Sequence, residues 1–399
     1  MSKTSYLPGL TPLRGLAALL VVIFHYNSQL AEVISPVFTP IIEKMYLMVD
    51  LFFVLSGFVM YHVYGHYFRE QLTPHRFAHF MWARFARIYP LHLATLALMV
   101  LIAVPSFLTN TLEGFFAVVY DVTALPSHIA MTQAMGTHHE ATWNTPSWSI
   151  SVEWWTYLMF PLIVVLFKRT STWSRWLAGL LVLAGYLSII YYFQPNFWAA
   201  RWEQFNVPSS VPYPMHIIDV ITGPAMLRCV CGFVWGMLVY ELYEKRLLQK
   251  LLAYRFSFSI IWFSLFTTWH FKVLPDYGAV FLFGGIILAT AYAPSASRSL
   301  LNNRVFKHIG DISFSLYLIH MPLIFAFAGA RRMLVNPDPL KKMLGFDFPP
   351  AIAWSGLFIL LLLSAALATL SYRFVEQPCR KYLNGLFSAK TTRRQKANA

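Results

Sequence analysis

Charge is what this chain has least of. Only 12% of its 399 residues are Asp, Glu, Lys or Arg, about half the share of a soluble domain, while 57% are hydrophobic. That balance excludes a soluble globular protein. Alternating ten-residue strands are absent as well, and long continuous apolar runs stand in their place, which excludes a membrane β-barrel. Three cysteines (Cys229, Cys231, Cys379) make no disulfide framework, and Cys229 and Cys231, two apart in one apolar run, point to different helix faces. The sequence has no G-x-S-x-G, no phosphate-cradling glycine loop and no H-E-x-x-H, so the pairs His62/His66 and His75/His79 have metal-like spacing without the motif that would use it. No metal is expected. The first apolar run lacks a small-x-small cleavage site and so is not a secretory signal, and no inverted internal repeat of the transporter kind is visible.

What remains is a polytopic α-helical membrane protein. Ten apolar segments are long enough to span, at 12–30, 45–64, 89–104, 147–167, 176–193, 220–240, 256–272, 277–293, 313–330 and 351–373, the third, seventh and eighth being short or broken by Pro and Gly. An even number places both termini on one side. With that side cytoplasmic, 23 of the 31 Lys and Arg fall on it, seven fall outside, and Arg228 lies within a span, so the positive-inside rule puts both termini in the cytoplasm. The net charge of +14 is therefore topology, with basic loops against anionic headgroups, and calls for no nucleic acid. Residues 1–380 read as one membrane domain and 381–399 as a disordered basic cytoplasmic tail containing K-T-T-R-R-Q-K. The stretches 65–88, 105–146 and 194–219 read as loops, the first inner and basic and the others outer.

Ionisable groups inside apolar segments cost roughly 2–3 kcal/mol each on insertion scales, and they cluster in four places. Arg14 and His25 lie eleven residues apart in the first segment, about 16 Å along a helix, with Arg14 inner and His25 in the outer half. Asp50 begins V-D-L-F-F-V-L-S-G-F at a depth similar to His25. Arg84 and Arg87, in F-x-x-x-R-x-x-R-I-Y-P, share one helix face at i, i+3, aimed at a single anion. P-S-W-S-I-S-V-E-W-W brings in Ser147, Ser149 and Glu153 from the outer side.

Each has a plain alternative. His25 and His320 are either hydrogen-bond partners of neighbouring helices or acid–base groups. Asp50 is either an interfacial N-cap or part of the site. Arg84 and Arg87 are either positive-inside anchors or an anion clamp. Glu153, among aromatics inside a span, is paired, protonated or functional. Asp219 and Arg228, two and a half helical turns apart, are not expected to pair directly. The polarity nonetheless has a direction: arginines that suit phosphate lie inside, and acid–base groups that suit proton transfer lie toward the outside.

Six motifs occur in order: L-R-G-L-A-A-L-L-V-V-I-F-H, V-D-L-F-F-V-L-S-G-F, R-F-A-R-I-Y-P-L-H, P-S-W-S-I-S-V-E-W-W-T-Y-L-M-F-P, I-G-D-I-S-F-S-L-Y-L-I-H-M-P and F-V-E-Q-P. Together they resemble the membrane-bound acyltransferase-3 family, which O-acylates sugars of bacterial surface and secreted glycans. The resemblance runs from about residue 8 to residue 380. It implies an acyl-coenzyme A donor, acetyl by default, bound from the cytoplasm, and an acceptor hydroxyl of a glycan or glycolipid on the outer side of a bacterial inner membrane. On the family pattern His25 is the catalytic histidine and Arg14 its motif partner, while Arg84 and Arg87 belong to the coenzyme A end. Glu153 is the acid of the W-S-x-S-x-E motif, and His320 is the histidine that follows S-Y-S-L-Y-L. Phe314 replaces the usual tyrosine of that last motif. Some members add an extra helix and an extracytoplasmic esterase-like domain that this chain is expected to lack.

These readings combine into one expectation. Arg14, Arg84 and Arg87 hold the coenzyme A phosphates. His25 acts as general base, oriented by Asp50 or Glu153, and Ser147, Ser149 and His320 line the acceptor side. An acyl-histidine intermediate is the variant mechanism. A proton-coupled transporter or flippase is the rival class, since buried His, Arg and carboxylates serve it equally well, although it needs no phosphate-matched arginines.

Overall fold

The computed structural model describes residues 7–138, 140–169, 172–196, 217–292, 303–334 and 350–397. Among them no residue is in a strand. The main helices are α1 (Leu10–Gln29), α2 (Met48–Glu70), α3 (Pro74–Leu108), α4 (Trp148–Arg169), α5 (Thr172–Ser188), α6 (Ala225–Glu244), α7 (Ser257–His270), α8 (Asp276–Tyr292), α9 (Arg304–Asp311), α10 (Ser313–Leu334), α11 (Pro350–Ser371) and α12 (Gln377–Ala397). Among the described residues seven helical stretches are long and apolar enough to cross a membrane, or eight if α9 and α10, bent by 72° at their junction, form one span. The chain is thus all-helical and built for a bilayer. Each of the ten apolar segments of the sequence coincides with a helix, but α7 and α8 have only 14 and 17 residues. At 1.5 Å per residue both fall short of a hydrocarbon core of about 30 Å.

Burial separates centre from rim. In the stretch that ends with α2 and in α6, 72% and 67% of the most apolar window is buried, against 22% for the stretch built on α5 and 28% for that from α11 into α12. Small residues let α2 and α6 approach closely. A Cβ on Gly57 would stand 1.9 Å from the carbonyl oxygen of Phe233, and one on Gly236 would stand 2.0 Å from that of Val54. The start of α1 crosses α9 in the same way, since a Cβ on Gly15 would meet the Gly310 nitrogen at 2.7 Å. Ten residues beyond each of those glycines stand His25 and His320, so α1 and the α9–α10 pair keep a common register along the bundle.

Two corrections to the sequence reading concern irregular backbone. Residues 105–146 are not simply an outer loop. The segment between α3 and α4 turns back against the bundle, and side chains of those helices satisfy its carbonyls. Tyr89 Oη donates to Ile129 O at 3.0 Å, and His92 Nε2 donates to His128 O at 2.8 Å. Ser151 Oγ and Trp155 Nε1 both donate to Met131 O, at 2.8 and 2.9 Å. Non-helical backbone is tolerable at membrane depth only when it is buried in protein and partnered in this way. Residues 377–397, expected as part disordered tail, form α12 instead, held to α3 by the Trp82 Nε1 hydrogen bond to Leu383 O at 2.8 Å.

Candidate active site

Arg14 from the first turns of α1, Arg84 and Arg87 from the start of α3, Ser149 and Glu153 from α4, and Ser313 and Tyr317 from α10 line one cavity of 150 Å³. Sequence reasoning had set the three arginines on the inner side and Ser149 and Glu153 toward the outer side; the fold places all five along one cavity. At about 30 Å³ per water the cavity holds some five waters. It is below the roughly 300 Å³ of a drug-sized pocket, so it suits a segment of a long ligand rather than the whole.

The three arginines are not equivalent. The Arg87 guanidinium is paired with the carboxylate of Glu376, which also accepts from Ser315 Oγ at 2.8 Å, and it lies 5.4 Å over the Phe314 ring. Glu376 belongs to a short π-helical turn, Tyr372–Glu376, joining α11 to α12. This corrects the expectation of two guanidiniums sharing one anion, because Arg87 already has its own. It also gives Phe314 a role without a hydroxyl, as an aromatic face for a cation. Among the described residues Arg84 makes hydrogen bonds only to Tyr64 Oη at 3.3 Å and Met60 Sδ at 3.5 Å, amid the rings of Tyr64, Phe80 and Tyr157. Its Nε is buried and unpartnered. Among the described residues neither Arg84 nor Arg14 has an ion-pair partner. Arg14 and Arg84 thus bring two guanidiniums without ion-pair partners to a cavity that Glu153 also lines.

Glu153 answers them from the other wall. Its Oε1 accepts from Tyr157 Oη at 2.6 Å, and Ser56 Oγ lies 3.0 Å from that hydroxyl. At the end of the cavity away from the arginines, Ser149 Oγ and Tyr317 Oη stand 2.8 Å apart, and both reach the Pro146 carbonyl, at 3.1 and 3.0 Å. Ser147 does not line the cavity; its Oγ lies 3.2 Å from Gln133 Nε2.

One turn beyond Tyr317, His320 meets His25, with its Nε2 3.1 Å from His25 Nδ1. The carbonyls around the pair assign its protons. His25 Nδ1 lies 3.1 Å from Val21 O, and His320 Nδ1 lies 3.3 Å from Leu316 O. A carbonyl only accepts, so both Nδ1 atoms carry hydrogen. His320 Nε2 is then bare, and the single His25 Nδ1–H is shared between it and Val21 O, which leaves His25 Nε2 with a free lone pair. His25 is therefore oriented by Val21 O within its own helix and by His320 across from α10.

This corrects the expectation that Asp50 or Glu153 plays that part. Asp50 is fully buried in a bidentate pair with Arg228, at 3.0 and 2.7 Å. Arg228 also reaches Asp219 at 3.3 Å and lies over Tyr46 and Trp148 at 5.3 and 5.1 Å. The expected separation of Asp219 from Arg228 assumed one helix through both. Here the chain turns at Gly223 (φ +59°) and α6 starts only at Ala225, so the two side chains meet. The network continues through Asp276, which accepts from Tyr46 Oη and, at 2.7 Å, from Lys44 Nζ. Sequence reading had quoted the motif holding Glu376 and had placed Arg228 inside a span, but neither could be matched to its partner.

Among the described residues no group of three or more His, Cys, Asp or Glu could hold a metal. His66 faces Glu244 at 3.6 Å, and His75 and His79 lie against Phe387.

A bundle built for a bilayer thus sets the His25–His320 pair beyond an arginine-lined cavity. The chain matches the acyltransferase domain family over residues 7–373, nearly its whole length, and it belongs to that family. It is 27% identical over 397 residues to the acyltransferase MdmB of Streptomyces mycarofaciens, covering 94% of this chain and 92% of that protein. It is 24% identical over 396 residues to the peptidoglycan O-acetyltransferase OatA of Listeria monocytogenes, and 24% over 399 residues to the O-acetyltransferase OatA of Staphylococcus aureus. Those matches cover 94% and 96% of this chain but 56% and 58% of the relatives, so the chain spans little more than half the length of either OatA. No solved structure matches the chain.

Proposed function

We propose that this protein is an integral membrane O-acyltransferase. It moves an acyl group, acetyl by default, from acyl-coenzyme A on the cytoplasmic side to a hydroxyl of a sugar or glycan on the other. In this reading residues 1–380 form one membrane unit of ten passes in a bacterial inner membrane, α7 and α8 being the short ones, with both termini and the basic residues from 381 onward in the cytoplasm. The end of the bundle that carries Arg14, Arg84 and Arg87 then faces the donor.

The observation that carries the proposal is the bare Nε2 of His25, eleven residues along α1 from an arginine that has no carboxylate partner. Arg14 and Arg84 hold the coenzyme A phosphates, while Arg87 is held by Glu376. The pantetheine arm runs past Glu153 toward Ser149 and Tyr317. His25 Nε2 takes the proton of the acceptor hydroxyl as its oxygen attacks the thioester carbonyl. The resulting imidazolium is held through Nδ1–H to His320, which fills the place a carboxylate occupies in a hydrolase triad. The thiolate of coenzyme A leaves and takes up a proton. The two OatA relatives, one named for peptidoglycan, support a glycan as acceptor.

The test is consumption of labelled acetyl-coenzyme A by the purified protein in nanodiscs, wild type beside His25→Ala. Release of free coenzyme A by the wild type alone supports donor and base together. Turnover retained in His25→Ala sinks the base. If neither protein binds nor consumes coenzyme A, the donor is wrong and a proton-coupled transporter becomes the reading to pursue.

A further inference from the structure

We propose that the re-entrant segment between α3 and α4 carries the binding subsite for a polyol acceptor, with Gln133 Oε1 and Asn144 Oδ1 receiving two of its hydroxyl protons. The proposal rests on the acyltransferase reading above and goes beyond it by locating the acceptor.

Two locked amides carry it. Asn144 Nδ2 donates to Leu318 O at 3.1 Å. That carbonyl is open because residue 322, which would cap it in a helix, is a proline without N–H. Since a carbonyl only accepts, the nitrogen of Asn144 must face α10 and its Oδ1 must face away. Gln133 Nε2 donates to Ser147 O at 3.2 Å, which fixes that amide in the same manner. Asn144 is 1% exposed and Gln133 6%, and neither Oδ1 nor Oε1 accepts a hydrogen bond among the described residues.

The two amides bracket one turn, closed by Ser147 N donating to Asn144 O at 2.9 Å. Asn144 docks on α10 two residues before His320, which orients His25. A third acceptor lies where α3 meets the same segment. His92 gives its Nε2 proton to His128 O, so its buried, unpartnered Nδ1 is bare as well.

Buried acceptors without donors are costly, and polar groups with fixed orientation keep that cost unless a donor arrives. Phosphate and carboxylate groups offer none. Neighbouring hydroxyls of a sugar offer two at once. Ordered water is the other donor that could sit there, and the experiment separates the two.

Full-length protein in nanodiscs is assayed with acetyl-coenzyme A as donor and, separately, glycerol and methyl β-D-glucopyranoside as acceptor probes. Gln133→Met keeps size and loses both polar atoms, whereas Gln133→Glu, whose buried carboxyl in its protonated form donates to Ser147 O, keeps an acceptor oxygen. The expected result is at least a tenfold rise in acceptor KM for Gln133→Met, with coenzyme A affinity within twofold of wild type, and recovery to within threefold in Gln133→Glu. Retained coenzyme A binding certifies that the variant is folded. An unchanged acceptor KM in Gln133→Met means that the amide holds only water or only backbone, and it overturns the proposal. So does a wild type that hydrolyses the donor yet acylates neither probe. A wild type that does not consume acetyl-coenzyme A at all instead overturns the acyltransferase reading.

Discussion

Replacing Glu376 by Gln should cost stability and spare donor binding, the reverse of what two cooperating phosphate-binding arginines would give. The Glu376 side chain is 1% exposed and that of its partner Arg87 is 18% exposed. Removing one member of a buried ion pair costs about 3–5 kcal/mol. Glutamine keeps a neutral acceptor for Ser315, and Arg87 keeps slight access to water, so the expected loss is near the lower end. That is about 3 kcal/mol, or roughly a hundredfold in the folding equilibrium. Unfolding in nanodiscs should show it. Arg87→Gln strands Glu376 and should cost a similar amount, and the double substitution should recover about 2 kcal/mol of the summed loss, the coupling of a contacting pair. Isothermal titration with coenzyme A gives the second readout. Arg87→Gln should bind within about threefold of wild type, while Arg84→Gln, which removes an uncompensated cation, should lose about 1.5–3 kcal/mol, or some 10–150-fold. Unfolding unchanged in Glu376→Gln, together with equal loss of binding in Arg84→Gln and Arg87→Gln, would show that Arg87 and Glu376 do not pair.

Two further outcomes follow from the same geometry. His320→Ala should lower kcat by about 100-fold, as loss of an orienting partner does, with donor KM nearly unchanged, and His320→Asn, which restores an acceptor for His25 Nδ1–H, should regain part of it; equal loss in both variants would mean that His320 only fills space. Asp50→Asn should cost about 3–5 kcal/mol of stability by stranding Arg228, and the pair Asp50→Leu with Arg228→Met should restore folding with turnover, whereas a folded but inactive pair would return Asp50 to the chemistry.

Helices were legible because long apolar runs need only local information. The start of α3 was misplaced: residues 65–88 read as a loop, whereas α2 runs to Glu70 and α3 begins at Pro74, where Thr73 Oγ1 accepts from Arg76 N at 3.2 Å and proline occupies the first helical position. The meeting of Arg14, Arg84 and Glu153 on one cavity was not legible, because motif order put the arginines inside and Glu153 toward the outside. Nor were partners. Arg87 and Glu376 are 289 residues apart, Asp50 and Arg228 are 178 apart, and His25 and His320 are 295 apart. Periodicity says nothing about such distances. The re-entrant turn was hidden for a related reason: its carbonyls are satisfied by Tyr89, His92, Ser151 and Trp155, whose side chains look like ordinary aromatic and polar members of two helices. Asp219 misled because a single helix was assumed across Gly223.

The buried pair of Asp50 and Arg228 also bears on how the chain is made. Asp50 enters the membrane early, and its partner is synthesised 178 residues later. At 5–20 residues per second that is roughly 10–35 s, during which a carboxylate at the head of α2 has no counter-charge. Arg87 waits longer, 289 residues for Glu376, or roughly 15–60 s. Neither α2 nor α3 can settle fully into lipid until the later helices arrive. The nascent chain has to be sheltered, by the insertion machinery or by water at the interface, until it closes its own charges.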